Sequence, residues 1–84
     1  MKLNTSLLNI INKTYQPDTF LEMKFGRYDL ALKTDTDGRA IMIFLGKKDA
    51  NGKIRGDRYA RRLKFGRNNE LIKDHWEHKG PATP

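Results

Sequence analysis

The sequence predicts an α+β domain, an N-terminal amphipathic helix followed by a four-stranded antiparallel β-meander, with a small half-open β-barrel as the alternative. Three observations predict it. Apolar residues recur at sustained helical spacing only ahead of Pro17, and from Lys24 onward the chain reads as short strands, one of them apolar throughout from Ala40 to Leu45. Three dipeptides that tolerate positive φ, Asp37-Gly38, Asn51-Gly52 and Asn68-Asn69, punctuate the remainder.

Leu3, Leu7, Leu8, Ile10, Ile11 and Tyr15 fall on one stripe of a helix whose other side is polar. Asn4 or Thr5 caps its start, and Pro17 forces the residue before it out of helical geometry, so the helix is expected to end near Tyr15. Asp18 to Met23 reads equally as one helical turn or as the lead into a strand. Strands follow over 24–35, 39–48, 53–66 and 70–78. The whole of 1–79 is one small domain, and 80–84, Gly-Pro-Ala-Thr-Pro, is expected to be a disordered tail.

If each dipeptide closes a two-residue loop, the register and both sheet faces follow. One face then collects Tyr28, Leu30, Leu32, Ile41, Ile43 and Leu45 with Arg58, Ala60, Arg62, Lys64, Lys73, His75 and Glu77. The other collects Ala31, Lys33, Ala40, Met42 and Phe44 with Tyr59, Arg61, Leu63, Phe65, Ile72, Asp74, Trp76 and His78. Strand two is apolar on both sides, and one helix covers one side, so a coiled sheet or a second copy must cover the other; a homodimer is the favoured expectation. Phe44 and Phe65 are expected in the core, with Tyr59 and Trp76 exposed.

The chain has 84 residues, 17 Lys and Arg against 10 Asp and Glu, and 37% hydrophobic residues. A chain of that length buries roughly 60 to 65% of its unfolded surface and holds one core. The absence of cysteine excludes disulfides, thiolate zinc sites and a cysteine nucleophile. No secretory signal core and no apolar run of membrane-spanning length is present, so a cytoplasmic protein is expected.

Charge is concentrated. Lys47, Lys48, Lys53, Arg55, Arg58, Arg61, Arg62, Lys64 and Arg67 against Asp49 and Asp57 account for the whole net charge of +7, and the rest of the chain is neutral. A focused positive field suits a polyanion, whose phosphates Lys and Arg neutralise with counterion release while aromatic rings stack on unpaired bases. The sequence therefore points to binding of single-stranded DNA or RNA by Lys53, Arg55, Arg58, Arg61, Arg62 and Lys64, with Tyr59 and Trp76 as stacking surfaces. The alternative is a noncatalytic module that recognises an acidic protein or itself. If the basic strand is instead only a solvated edge that keeps the hairpin from aggregating, Arg61 is expected to lie over Trp76 as an internal cation–π pair.

Other constellations are weaker. On a strand His75 and His78 point to opposite faces, so Asp74-His75-Trp76-Glu77-His78 forms no metal site, and no cofactor is expected. Asp35-Thr36-Asp37-Gly38 and Asp49-Ala50-Asn51-Gly52 fit hairpin turns better than calcium loops, since neither brings the distal Glu. No catalytic triad surrounds Ser6, and no enzyme is expected. Lys-Phe-Gly-Arg occurs at 24–27 and again at 64–67 without further alignment around it, and its glycines are read as bulges. No motif is specific enough to name a family.

Overall fold

A computed structural model describes residues 4–81. The order is α1 (Thr5–Ile11), β1 (Phe20–Phe25), β2 (Tyr28–Thr34), β3 (Ala40–Lys48), β4 (Ile54–Phe65), a single 3-10 turn (Arg67–Asn69) and β5 (Leu71–Pro81). The strands form one antiparallel sheet in chain order, with β1 and β5 as its two edges, so the sheet stays open and the barrel is not formed.

Asn4 caps α1, its Oδ1 accepting from the Leu7 N–H at 2.8 Å. Leu7 and Ile11, one turn apart, are buried against the sheet. The helix ends at Ile11, one turn before the expected limit. Tyr15 still belongs to the apolar stripe, but it is held by its own bonds: its hydroxyl donates to the Ile10 carbonyl and its N–H to the Gly38 carbonyl at 2.7 Å. Leu3 of the predicted stripe lies outside the described residues.

There are five strands, where the sequence predicted four. The stretch read as one strand over 24–35 contains a turn, with Phe25 paired to Tyr28 and Gly26 at φ 60° between them, and β1 precedes it. The connection from the helix into β1 is fastened at buried Thr34, whose Oγ1 accepts from the Thr19 N–H and donates to the Gln16 carbonyl. At the other end β5 runs through Gly80 and Pro81, two residues of the expected tail, while 82–84 lie outside the described residues.

The loops decide which residues share a face. In the first, Asp35 Oδ1 accepts from the N–H groups of Asp37 and Arg39, and Asp35 N donates to the Arg39 carbonyl; in the second, Asp49 makes the same three bonds with Asn51 and Lys53. Each is thus a three-residue loop closed by a left-handed glycine, Gly38 at φ 81° and Gly52 at φ 78°. Gly38 is doubly required, because a Cβ there would meet the Tyr15 carbonyl oxygen.

A three-residue loop shifts the ladder by one relative to a two-residue loop. After the first loop a bulge corrects this: Thr34 pairs with Ala40 but Lys33 with Met42, leaving Ile41 as the extra residue. The turn at Asn68-Asn69 is corrected likewise, since Phe65 pairs with Leu71 but Lys64 with Lys73. No bulge follows the second loop, where Lys48 pairs with Ile54 and the ladder runs unbroken to Met42 and Ala60. Relative to β3, every β4 and β5 side chain therefore emerges on the face opposite to the expected one.

The face under α1 carries the core: Leu30, Leu32, Ile43, Leu45 and Tyr59, packed on Leu7 and Ile11. Completely burying one such aliphatic side chain stabilises the fold by about 1.5 to 3 kcal/mol. The other face has no element over it among the described residues.

Candidate anion-binding face

The uncovered face combines the apolar half of one predicted face with the basic half of the other. Phe44 pairs with Arg58, and Met42 with Ala60, so Arg58, Arg62 and Lys64 project beside Met42 and Phe44. From β5 they are joined by Lys73 and His75, which pair with Lys64 and Arg62. Phe20 of β1 completes the apolar part, its ring 6.4 Å from that of Phe44 and 57% exposed. Phe20, Ala31, Phe44 and Ile54 line a shallow apolar depression, with Lys53 and Glu22 at its rim.

The charges on the two sides of this face differ in their partners. Near β1 and β2 two of the cations are neutralised, Lys24 by Asp29 and Lys48 by Glu22 at 2.7 Å, while exposed Lys33 has no acidic partner among the described residues. Asp29 is buried, and hydrogen bonds from Lys24 and from the Lys48 N–H hold its carboxyl below the usual range. Across β4 and β5, Arg62 has only a long contact to Glu77, at 3.8 Å. Lys64 and Lys73 have no acidic partner among the described residues, although they lie directly opposite one another. Like charges so placed repel, and an anion between them removes that repulsion. Arg58 Nε is buried and has no hydrogen-bond partner among the described residues.

Glu77 is the acid on this side of the face. His75 Nε2 lies 2.9 Å from its Oε1, and Lys79 donates to its Oε2, so the hydrogen bonds, His75's first, pull its pKa down to about 2. Glu77 is thus engaged by His75 and Lys79, and no acid stands between Lys64 and Lys73.

The remaining predicted site residues are elsewhere. Tyr59 is 5% exposed, in the core beneath the helix. Arg61 faces the same way, its side chain buried: Nε and Nη2 each donate to Asp74 at 2.6 Å, Nη1 reaches the Ala40 carbonyl, and the guanidinium stands over Trp76 at 5.6 Å. The expected Arg61–Trp76 contact is present, and the bidentate bond lowers the Asp74 pKa. Trp76 is half-buried against the core, its Nε1–H donating to Asn12 Oδ1. Arg55 bonds Asp49 at 3.0 Å and shares a face with Lys47, away from Arg58. Tyr59, Arg61 and Trp76 therefore leave the predicted interface, and the reason is the uncorrected three-residue loop.

Phe20 and Phe44 are the aromatics this face actually offers, and sequence reasoning missed both. Phe20 lay in the undecided segment and Phe44 was assigned to the core, while Phe65, also assigned there, is 42% exposed at the far end of β4. The repeated Lys-Phe-Gly-Arg was the available signal, since both copies end a strand at Phe and open a turn at Gly.

His78 Nε2 lies 2.8 Å from Asp57 Oδ1 on the helix side, away from His75. No group of three or more His, Asp or Glu side chains able to hold a metal ion comes together among the described residues, and no helix among them is long and apolar enough to cross a membrane. Compared with family models, with characterised proteins and with solved structures, the chain matches none of them.

Proposed function

We propose that this chain binds single-stranded nucleic acid on the uncovered sheet face. The observation that carries the reading is the presence on one face of Arg58, Arg62, Lys64 and Lys73, none closely paired with an acid, and of the exposed ring of Phe20 and the half-buried ring of Phe44. Cations along β4 and β5 neutralise phosphates, and the two rings, Phe44 one strand from β4 and Phe20 three, offer π-faces to bases. Sheet faces that bind single strands use this pairing of ring and cation.

The test is fluorescence anisotropy of labelled single-stranded DNA and RNA at low and moderate salt. Binding is expected to weaken steeply with salt, by about one log unit of affinity per log unit of salt for each phosphate neutralised. Arg58→Glu with Arg62→Glu should abolish it while the thermal midpoint holds. Unchanged affinity in that variant, or no binding at low salt, sinks the proposal.

The apolar depression at Phe20, Ala31, Phe44 and Ile54 favours a second reading, self-association through the same face. Sedimentation separates the two, because an apolar dimer persists at high salt.

A further inference from the structure

The two edges of the sheet are finished differently. β5 carries Lys73, Glu77, Lys79 and Pro81, charges and a proline of the kind that keep an edge strand from pairing. β1, Phe-Leu-Glu-Met-Lys-Phe, has no proline, and its two charges are opposite in sign and stand two residues apart. Thr34 N donates to the Thr19 carbonyl at 2.9 Å, so alternate residues from there, Leu21, Met23 and Phe25, turn their backbone groups to β2. The N–H and C=O groups of Phe20, Glu22 and Lys24 point outward, and no strand meets them among the described residues. Apolar surface lies beside them: Phe20 is 57% exposed, and Leu21, Met23 and Phe25 pack on the core yet stay only half-buried.

We infer that β1 pairs with β1 of a second copy, antiparallel about a two-fold axis at Met23, so that the two sheets become one. Charge selects that register. Residues opposite one another in an antiparallel pair share a face, which leaves the strand to centre on Glu22, Met23 or Lys24. Centring on Glu22 or on Lys24 sets like charges against each other, whereas centring on Met23 sets each Glu22 against the partner's Lys24. Both of these opposed pairs have outward backbone groups, so each exchanges its N–H and C=O bonds. Their side chains are within reach of the edge: Lys48 takes only Oε2 of Glu22, and the Lys24 side chain is 75% exposed although it bonds Asp29.

Shape agrees with charge. On the core side the same register sets Leu21 against the partner's Phe25 and Met23 against the partner's Met23, covering the half-buried flank. On the other side Phe20 falls opposite the partner's Gly26, where a Cβ would meet nothing within 4 Å, and a ring lying across such a glycine covers its bare backbone. The axis stands perpendicular to the sheet, so both uncovered faces look the same way, with Phe20 of each copy toward the middle. This pairing does not depend on what that face binds, and it differs from closing the face itself, which would bury Phe44.

The experiment is sedimentation equilibrium of the full chain, with circular dichroism to check the fold of each variant. The wild type is expected to dimerise as its concentration rises. Glu22→Lys and Lys24→Glu each set like charges across the axis and should raise the dissociation constant about tenfold or more, while an equimolar mixture of the two restores both opposed pairs and should dimerise like the wild type. Glu22→Pro removes an outward N–H without touching a bond to β2 and is expected to be monomeric. Phe44→Ala should dimerise unchanged. A wild type that stays monomeric overturns the inference, as does a dimer that survives both Glu22→Lys and Glu22→Pro. A dimer lost in Phe44→Ala but kept in the Glu22 variants overturns it in favour of the face. Should Lys24→Glu fail to fold beside Asp29, the two Glu22 variants decide the matter alone.

Discussion

Ile43 and Phe44 are neighbours in β3, yet they belong to two different surfaces. Ile43 is fully buried beneath α1, among Leu30, Leu32, Leu45 and Tyr59, whereas Phe44 is half-buried and touches Phe20 on the face nothing covers. The same contrast recurs in β4, where Arg61 is held by Asp74 and Arg62 points into solvent with a distant acid. The sheet therefore divides its work by parity: one set of alternate residues holds the fold, and the other is free to meet a partner. Apolar character alone does not tell the two sets apart.

Substitutions at adjacent positions sharpen this division. Ile43→Ala is expected to cost about 3 kcal/mol in chemical denaturation, within the range for a buried aliphatic residue cut to alanine, and Phe44→Ala less than half of that. Phe44→Ala should instead weaken single-strand binding, by roughly 1 to 3 kcal/mol if a base stacks on it. Equal stability losses at the two sites would mean that the uncovered face is closed by another copy of the chain.

Arg61→Ala leaves Asp74 without its fork and Trp76 without its cation, a loss expected near 2 kcal/mol. Arg62→Ala should change stability by no more than about 0.5 kcal/mol while reducing nucleic-acid affinity, a reversal that urea melts and anisotropy on the same two proteins would reveal. Smaller than the Arg61→Ala loss is that of Asn4→Ala, expected to cost about 1 kcal/mol through the lost helix cap, with binding unaffected because α1 covers the other face.

Acid probes both faces together. Asp29 and Glu77 on the uncovered side and Asp74 on the covered side all have folded pKa values below their unfolded ones. Their contribution is fully present above the unfolded values near 4 and is lost as pH falls through the folded ones, about 2 for Glu77. The thermal midpoint is expected to decline from about pH 4 downward, and Asp74→Asn should flatten part of that slope. A midpoint independent of pH between about 4 and 2 would show these carboxylates to be unengaged.

Much of the fold was legible in the chain. The helix stripe, the meander, the open second face of β3 and the pairing of Arg62 with His75 follow from periodicity and turn dipeptides. β1 was hidden because Gly26-Arg27 is a turn without the usual Asn or Asp, leaving only the echo of Lys-Phe-Gly-Arg to mark it. The candidate site was half legible: Arg58, Arg62 and Lys64 do share a surface, but the aromatics on it are Phe44 on the adjacent strand and Phe20 on the far edge, not Tyr59 and Trp76. Loop composition does not reveal whether a bulge follows. Asp35 and Asp49 close identical turns, and only the first is corrected.

That difference bears on which changes the chain can tolerate. Surface loops ordinarily accept insertions and deletions at little cost. The loop from Asp49 to Lys53 is an exception, because removing one residue from it would invert two strands at once, sending Arg58 and Arg62 toward the helix and Tyr59 and Trp76 into water. A loop outside the core, at the rim of the depression lined by Phe20 and Phe44, is thereby unforgiving of a change in length, while its twin at Asp35 has a neighbouring bulge available to absorb one.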